Sequence, residues 1–166
     1  MSVVVAQVTD KHIHMSADSG CYCGGNIIPT KNMNISKMEK INGMILGGVG
    51  LAEENQLFFD YMKTHILDTV DPEHIRIFVK EFIAYKAELG LPNKLENEYL
   101  LAAKGKCYNV QGMFVAEVTS SWAIGAGANY ANGALYMGAT ASVAVEAAIT
   151  LCAFVDGKIH SEMIER

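Results

Sequence analysis

Ser2-Val3-Val4-Val5-Ala6-Gln7-Val8, then Thr9-Asp10-Lys11, then His12-Ile13-His14-Met15-Ser16-Ala17 is the stretch on which the fold turns. The first seven residues are β-branched and apolar enough for a buried strand. The polar triplet suits a turn. The last six alternate polar and apolar, as a strand with one buried face does. The whole reads as a β-hairpin that delivers the chain to Asp18.

Beyond the hairpin, Ser19 to Lys31 reads as loop, with Gly20, Gly24, Gly25 and Pro29. Met33 to Asn42 is mixed. Met44-Ile45-Leu46 is a short apolar strand that runs into Gly47-Gly48-Val49-Gly50, where glycines permit a tight strand-to-helix turn. A helix follows, with Glu53 and Glu54 in its first turn, where the macrodipole favours acids. Leu57, Phe58, Tyr61 and Met62 form its apolar stripe. Asp71 caps a second helix with Pro72 in its first turn, and Gly90 ends it. The stripe of that helix is Ile75, Phe78, Val79, Phe82 and Ile83.

The period then shortens. Tyr99–Ala103, Cys107–Val110, Met113–Val118 and Trp122–Ile124 read as strands. Two more helices are expected, one through Tyr130, Ala131, Ala134 and Leu135, the other through Val145, Ala148, Ile149 and Cys152. Asp156-Gly157-Lys158 is a turn, and a short polar tail closes the chain. Strands, two helices, strands, two helices: this order predicts an α+β fold of four layers, αββα, with two antiparallel sheets sandwiched between helix pairs. A single sheet with helices on one face is the alternative. One domain over residues 1–166 is expected, with no internal repeat.

Bulk properties exclude several functions. The chain has 166 residues, half of them hydrophobic, and a formal net charge of −5. It lacks the basic footprint that non-specific nucleic-acid binding requires. No apolar run approaches the roughly 18 residues of a membrane span. The start shows no signal-peptide pattern, so a cytoplasmic location is expected. The cysteines are Cys21, Cys23, Cys107 and Cys152; reduced thiols are the expectation, because the C-x-C pair has no second pair to complete a zinc site. His12 and His14 share a strand face, but no spacing to His65, His74 or His160 suggests a metal. The glycine run lacks the Lys-Ser/Thr of a P-loop. No metal or cofactor is expected.

Four segments carry a resemblance. Ser2 lies sixteen positions before the aspartate of Met15-Ser16-Ala17-Asp18-Ser19. Lys37-Met38-Glu39-Lys40-Ile41-Asn42 sets a lysine before apolar residues. Gly47-Gly48-Val49-Gly50-Leu51-Ala52-Glu53 leads into a helix bearing Leu57-Phe58. Ala123-Ile124-Gly125-Ala126-Gly127 is followed, two residues on, by Tyr130-Ala131. In these features the chain resembles the proteasome β-subunit family of N-terminal-nucleophile (Ntn) hydrolases, in particular the HslV peptidase.

The resemblance implies that Ser2, exposed by loss of Met1, is the nucleophile where the family usually has threonine. Asp18 and Lys37 match the family's catalytic pair, with Lys40 as the second candidate lysine. Gly47 or Gly48 would offer a backbone N–H to an oxyanion, and Asp156 would support the site. Ala126 stands where the family has a serine that helps handle protons. Implied partners are copies of the chain in a homo-oligomeric ring, an ATP-dependent unfoldase, and a peptide or unfolded-protein substrate. Ala126 and the Cys21–Cys23 segment motivate a second expectation, a catalytically weak or silent member serving as ring scaffold or modulator of another protease. A small-amide hydrolase on the same fold is a third.

Overall fold

The computed structural model describes residues 2–23, 26–28 and 35–166. Met1, Gly24, Gly25, Pro29 and Met33, read above, lie outside the described residues, as does the side chain of Cys23. In chain order the strands are β1 (Val3–Val8), β2 (His12–Asp18), β3 (Cys21–Cys23), β4 (Asn26–Ile28), β5 (Met38–Ile41) and β6 (Met44–Val49). Helices α1 (Ala52–Thr64) and α2 (Pro72–Glu88) follow. Then come β7 (Glu98–Ala103), β8 (Lys106–Gln111), β9 (Phe114–Glu117), β10 (Ser121–Gly125), α3 (Ala128–Tyr136), α4 (Ala141–Leu151) and β11 (Ile159–Glu165).

Two antiparallel sheets and four helices among the described residues make an α+β fold compatible with a sandwich. One sheet has the order β10-β1-β2-β11 and the other β5-β6-β7-β8-β9; β3 and β4 form a separate ribbon. The opening hairpin pairs as its sequence predicts, Val4 opposite Ala17 and Val8 opposite Ile13.

The run Val3-Val4-Val5-Ala6 is fully buried because both faces of β1 are covered. Val4 and Ala6 join Met15, Ile45, Leu100 and Ala102 in a cluster drawn from both sheets. Val3 and Val5 turn the other way, onto Ala144, Val145 and Ala148 of α4. A third cluster joins Leu46, Tyr99 and Leu101 to α1 and α2. In it Phe58 stacks on Phe82 with ring centroids 4.0 Å apart and meets Tyr99 edge-on at 5.0 Å. Such aromatic pairs add roughly 0.5–1.5 kcal/mol each beyond their buried area.

Asp71 caps α2 by accepting from the N–H groups of Glu73 and His74, at 2.9 and 3.0 Å. Three expectations need correction. The polar tail is strand β11, paired along its length with β2. The 19–31 stretch contains the β3–β4 ribbon. Tyr130 is exposed, so the buried face of α3 rests on Ala131 and Leu135. No helix of the described residues is long and apolar enough to cross a membrane.

Candidate active site

The start of β1, the end of β2 and the approach to β5 meet at Asp18. Its carboxylate accepts the Val3 N–H at 2.8 Å through Oδ1, and the Lys37 ammonium at 2.7 Å and the Gly20 N–H at 3.1 Å through Oδ2. Asp18 is 1 % exposed and Lys37 8 %. Burial lowers the Lys37 amine below its ordinary value of 10.5, and the opposing charge of Asp18 holds back part of that fall. Lys40 is elsewhere: its Nζ donates to the Met163 carbonyl of β11 at 2.8 Å. Of the two candidate lysines, Lys37 joins the aspartate.

Ser2 is buried and precedes the Val3 N–H that Asp18 holds. Its carbonyl accepts the Gly127 N–H at 3.3 Å. The turn Gly125-Ala126-Gly127 fits closely round it. Gly125 has φ +94°, and a Cβ there would run into the Ser2 carbonyl oxygen. A Cβ on Gly127 would meet Val155 at 2.8 Å and Ala148 at 2.9 Å. Gly125 is therefore set by packing against Ser2, and Gly127 by packing against α4, the segment after it and Val3. Ala126 borders the same cleft as Ser2, and its carbonyl faces the Cys152 thiol at 3.6 Å.

The cleft has a volume of about 620 Å³. Its walls include Ser2, Val49, Gly50, Asn97, Gly125 and Ala126. Gly47 and Gly48 sit deeper, within β6. The Gly48 N–H already donates to the Lys37 carbonyl at 2.8 Å. Strand alternation turns the Gly47 N–H toward β7, opposite Leu100. Both are thus ladder donors, not the cleft donors expected of them. Their lack of side chains serves close packing, since a Cβ on Gly47 would lie 2.6 Å from Val4 Cγ1. Asp156 does reach the site, but through its main chain: its N–H points at Asp18 Oδ2 from 3.4 Å, while its own Oδ1 accepts the Gly157 N–H at 2.7 Å.

Behind the cleft lies a polar network that sequence reasoning missed. Glu54, read above as a macrodipole residue, is buried and ion-paired with buried Lys86. Its carboxylate also accepts the N–H groups of Glu96 and Asn97 and the Tyr99 hydroxyl, at 3.1, 2.8 and 3.1 Å. Burial, then the Glu54 charge, pushes the Tyr99 phenol well above its usual value. The Asn97 amide donates to Leu51 O and to Asn55 Oδ1, each at 2.8 Å, and Asn55 donates to Gly48 O at 3.0 Å. The residues involved are dozens of positions apart, so no local spacing announces them. Glu54, Asn55 and Asn97 moreover sit in polar runs, Glu53–Gln56 and Asn93–Glu98, so the sequence held no signal for them.

His12 and His14 share a face with ring centroids 5.6 Å apart. Among the described residues no group of three or more His, Cys, Asp or Glu is placed to hold a metal ion. Cys21, Cys107 and Cys152 are free thiols.

No family model and no curated protein matches the sequence. Solved structures do. Thiobacillus denitrificans BPH in complex with epoxomicin superposes with a TM-score of 0.88 at 20% identity, covering 98% of each chain. Thiobacillus denitrificans BPH alone gives 0.89 at 20% identity, covering 98% of this chain and 97% of the other. The chain thus shares its fold, end to end, with this bacterial protein.

Proposed function

We propose that the chain is a peptidase subunit of the proteasome/HslV type, a four-layer αββα Ntn hydrolase that cleaves peptide bonds with Ser2. The observation that carries this reading is the position of Asp18, which holds the N–H of the residue after Ser2 with one oxygen and Lys37 with the other. Both groups are out of water, beside a cleft that Ser2 lines. The epoxomicin complex of the BPH fold relative adds support.

The chemistry requires Ser2 to carry a free α-amine, so Met1 and anything before it must be removed. A free amine has a pKa of roughly 7.7–8, neutral in part near pH 7. It takes the Ser2 Oγ proton as oxygen attacks the substrate carbonyl carbon. The tetrahedral intermediate collapses as the ammonium returns that proton to the leaving nitrogen. The resulting ester is hydrolysed by water, which regenerates Ser2. The Lys37 cation favours the neutral amine and the developing alkoxide, and Asp18 keeps that cation in place. With Gly47 and Gly48 committed to the ladder, the oxyanion donor comes from the backbone that borders the cleft, at Gly50 or Gly125–Ala126.

Copies of the chain assemble into a ring in this proposal, and an ATP-dependent unfoldase feeds it unfolded protein. Ala126 favours a second reading: without a hydroxyl there, the chain serves as a weak or silent ring member. Hydrolysis of unstructured casein and fluorogenic peptides by wild type and Ser2→Ala separates the two. The peptidase reading expects turnover that Ser2→Ala reduces at least about 10³-fold, as for loss of a nucleophile. Equal turnover by both, or none by either, favours the silent reading.

A further inference from the structure

The cleft beside Ser2 carries a charge that the proposed chemistry does not use. Glu96 and Glu98 both border it, with Asn97 and Gln111, and among the described residues no lysine, arginine or histidine does. Glu96 is answered: Lys94 Nζ lies 3.5 Å from Oε1, and Lys86 Nζ lies 3.9 Å from Oε2. Among the described residues, no cation is within ion-pair distance of Glu98. The nearest catalytic cation, Lys37, is turned to Asp18.

Glu98 is half-buried and held in place. It opens β7, opposite Val49 on one side and Gln111 on the other. The segment before it is fixed by Glu54, which accepts the N–H groups of Glu96 and Asn97. Gly50, Gly112, Gly125 and Ala126 line the cleft around it and leave room for a long side chain. A partly desolvated carboxylate gains most from a cation that meets it inside the cleft. A guanidinium also matches its fork geometry.

We infer that this cleft binds a substrate side chain carrying a positive charge, lysine or arginine, with Glu98 as the anchoring carboxylate. The inference rests on the cleft being the peptide-binding site proposed above, but not on Ser2 being reactive.

The test is therefore a binding measurement on the Ser2→Ala chain. Fluorophore-labelled tripeptide amides ending in arginine, leucine or glutamate are titrated by fluorescence anisotropy. The arginine peptide is expected to bind at least about tenfold more tightly than the other two, and less tightly as salt rises. Adding Glu98→Gln should erase that preference, while Glu98→Asp, which keeps the charge, should retain most of it. Equal binding of the three peptides, no binding of the arginine peptide at millimolar concentration, or a preference that survives Glu98→Gln would overturn the inference. Hydrolysis by the native chain is read separately. An arginine preference in binding without any turnover sinks the peptidase proposal and leaves this one standing.

Discussion

Asp18 gives one carboxylate oxygen to the Val3 N–H and the other to the Lys37 ammonium, and neither side chain meets much solvent. Asp18→Asn keeps an oxygen for Val3 but removes the charge that faces Lys37. Losing one partner of a buried pair costs about 3–5 kcal/mol, so urea denaturation should show a loss of that order. Turnover should fall by about 10²-fold or more. Asp18→Asn with Lys37→Met should recover part of the stability and none of the activity. The sequence singled out Asp18 by its spacing from Ser2 and left Lys37 beside Lys40 as one of two candidate lysines, each by resemblance to a family segment. It did not reveal that Asp156 contributes an amide N–H and not its carboxylate, since spacing says nothing of which atom points inward.

Cys107 gives a second prediction at this scale. It is 1 % exposed, and burial raises its thiol from 9.0 to about 12. Between those values the unfolded chain has lost a proton that the folded chain keeps. Stability from this group is thus fully present below pH 9.0 and falls as pH rises toward about 12. Near pH 10.5 the loss is on the order of 2 kcal/mol, at about 1.4 kcal/mol per unit. Lys37 acts oppositely: its lowered value makes its contribution rise with pH toward 10.5. Comparing wild type with Cys107→Ala cancels the lysine, and the variant should lose less stability between pH 8 and pH 10.5.

Among the elements, the Gly125–Gly127 turn and strand β11 show what a sequence does and does not disclose. The Gly-x-Gly frame was legible as a motif, and packing explains it: Gly125 combines φ +94° with a blocked Cβ direction, whereas Gly43 combines φ +76° with open space. Gly43→Ala should cost about 1 kcal/mol, from backbone strain alone. Gly125→Ala should cost at least about 2–3 kcal/mol and also displace Ser2. Thermal melts of the two variants check the difference. Strand β11 was hidden because it is an edge strand with one well-buried residue, Ile164, among exposed neighbours such as His160 and Glu165. Its strand character comes from pairing with β2, a tertiary fact. Glu54 was hidden for a similar reason. A first-turn acid is ordinary, and only α2 and the 94–99 segment make it an interior anion. Lys86→Met should therefore destabilise the chain by about 3–5 kcal/mol, and adding Glu54→Gln should restore part of that.

For the molecule as a whole, the alternation of strand and helix blocks pointed first to two antiparallel sheets with helix pairs, because each block must bury one apolar face, and left a single sheet as the alternative. Assembly was not legible in that pattern. The described surface supplies a site to probe it. Tyr136 and Met137 at the end of α3 are 90 % and 82 % exposed, and Leu151 at the end of α4 and Phe154 after it are 61 % and 48 % exposed. Large apolar side chains left in water at both ends of α4 are costly on an isolated chain and suit the proposed ring. Light scattering should give a particle many times the 18.0 kDa chain, shifted toward single chains by Tyr136→Asp with Met137→Asp. A wild-type monomer would contradict the ring.

Ser2 joins these scales, as a residue whose chemistry depends on the turn round it and on what precedes it in the mature chain. Tandem mass spectrometry of the purified protein before and after incubation with epoxomicin tests this most directly. The untreated protein should give an N-terminal peptide that begins at Ser2 with a free amine, and the treated protein the same peptide carrying the epoxomicin adduct on that residue. A peptide that retains Met1, an acetylated Ser2, or an adduct found elsewhere in the chain would contradict this role of Ser2.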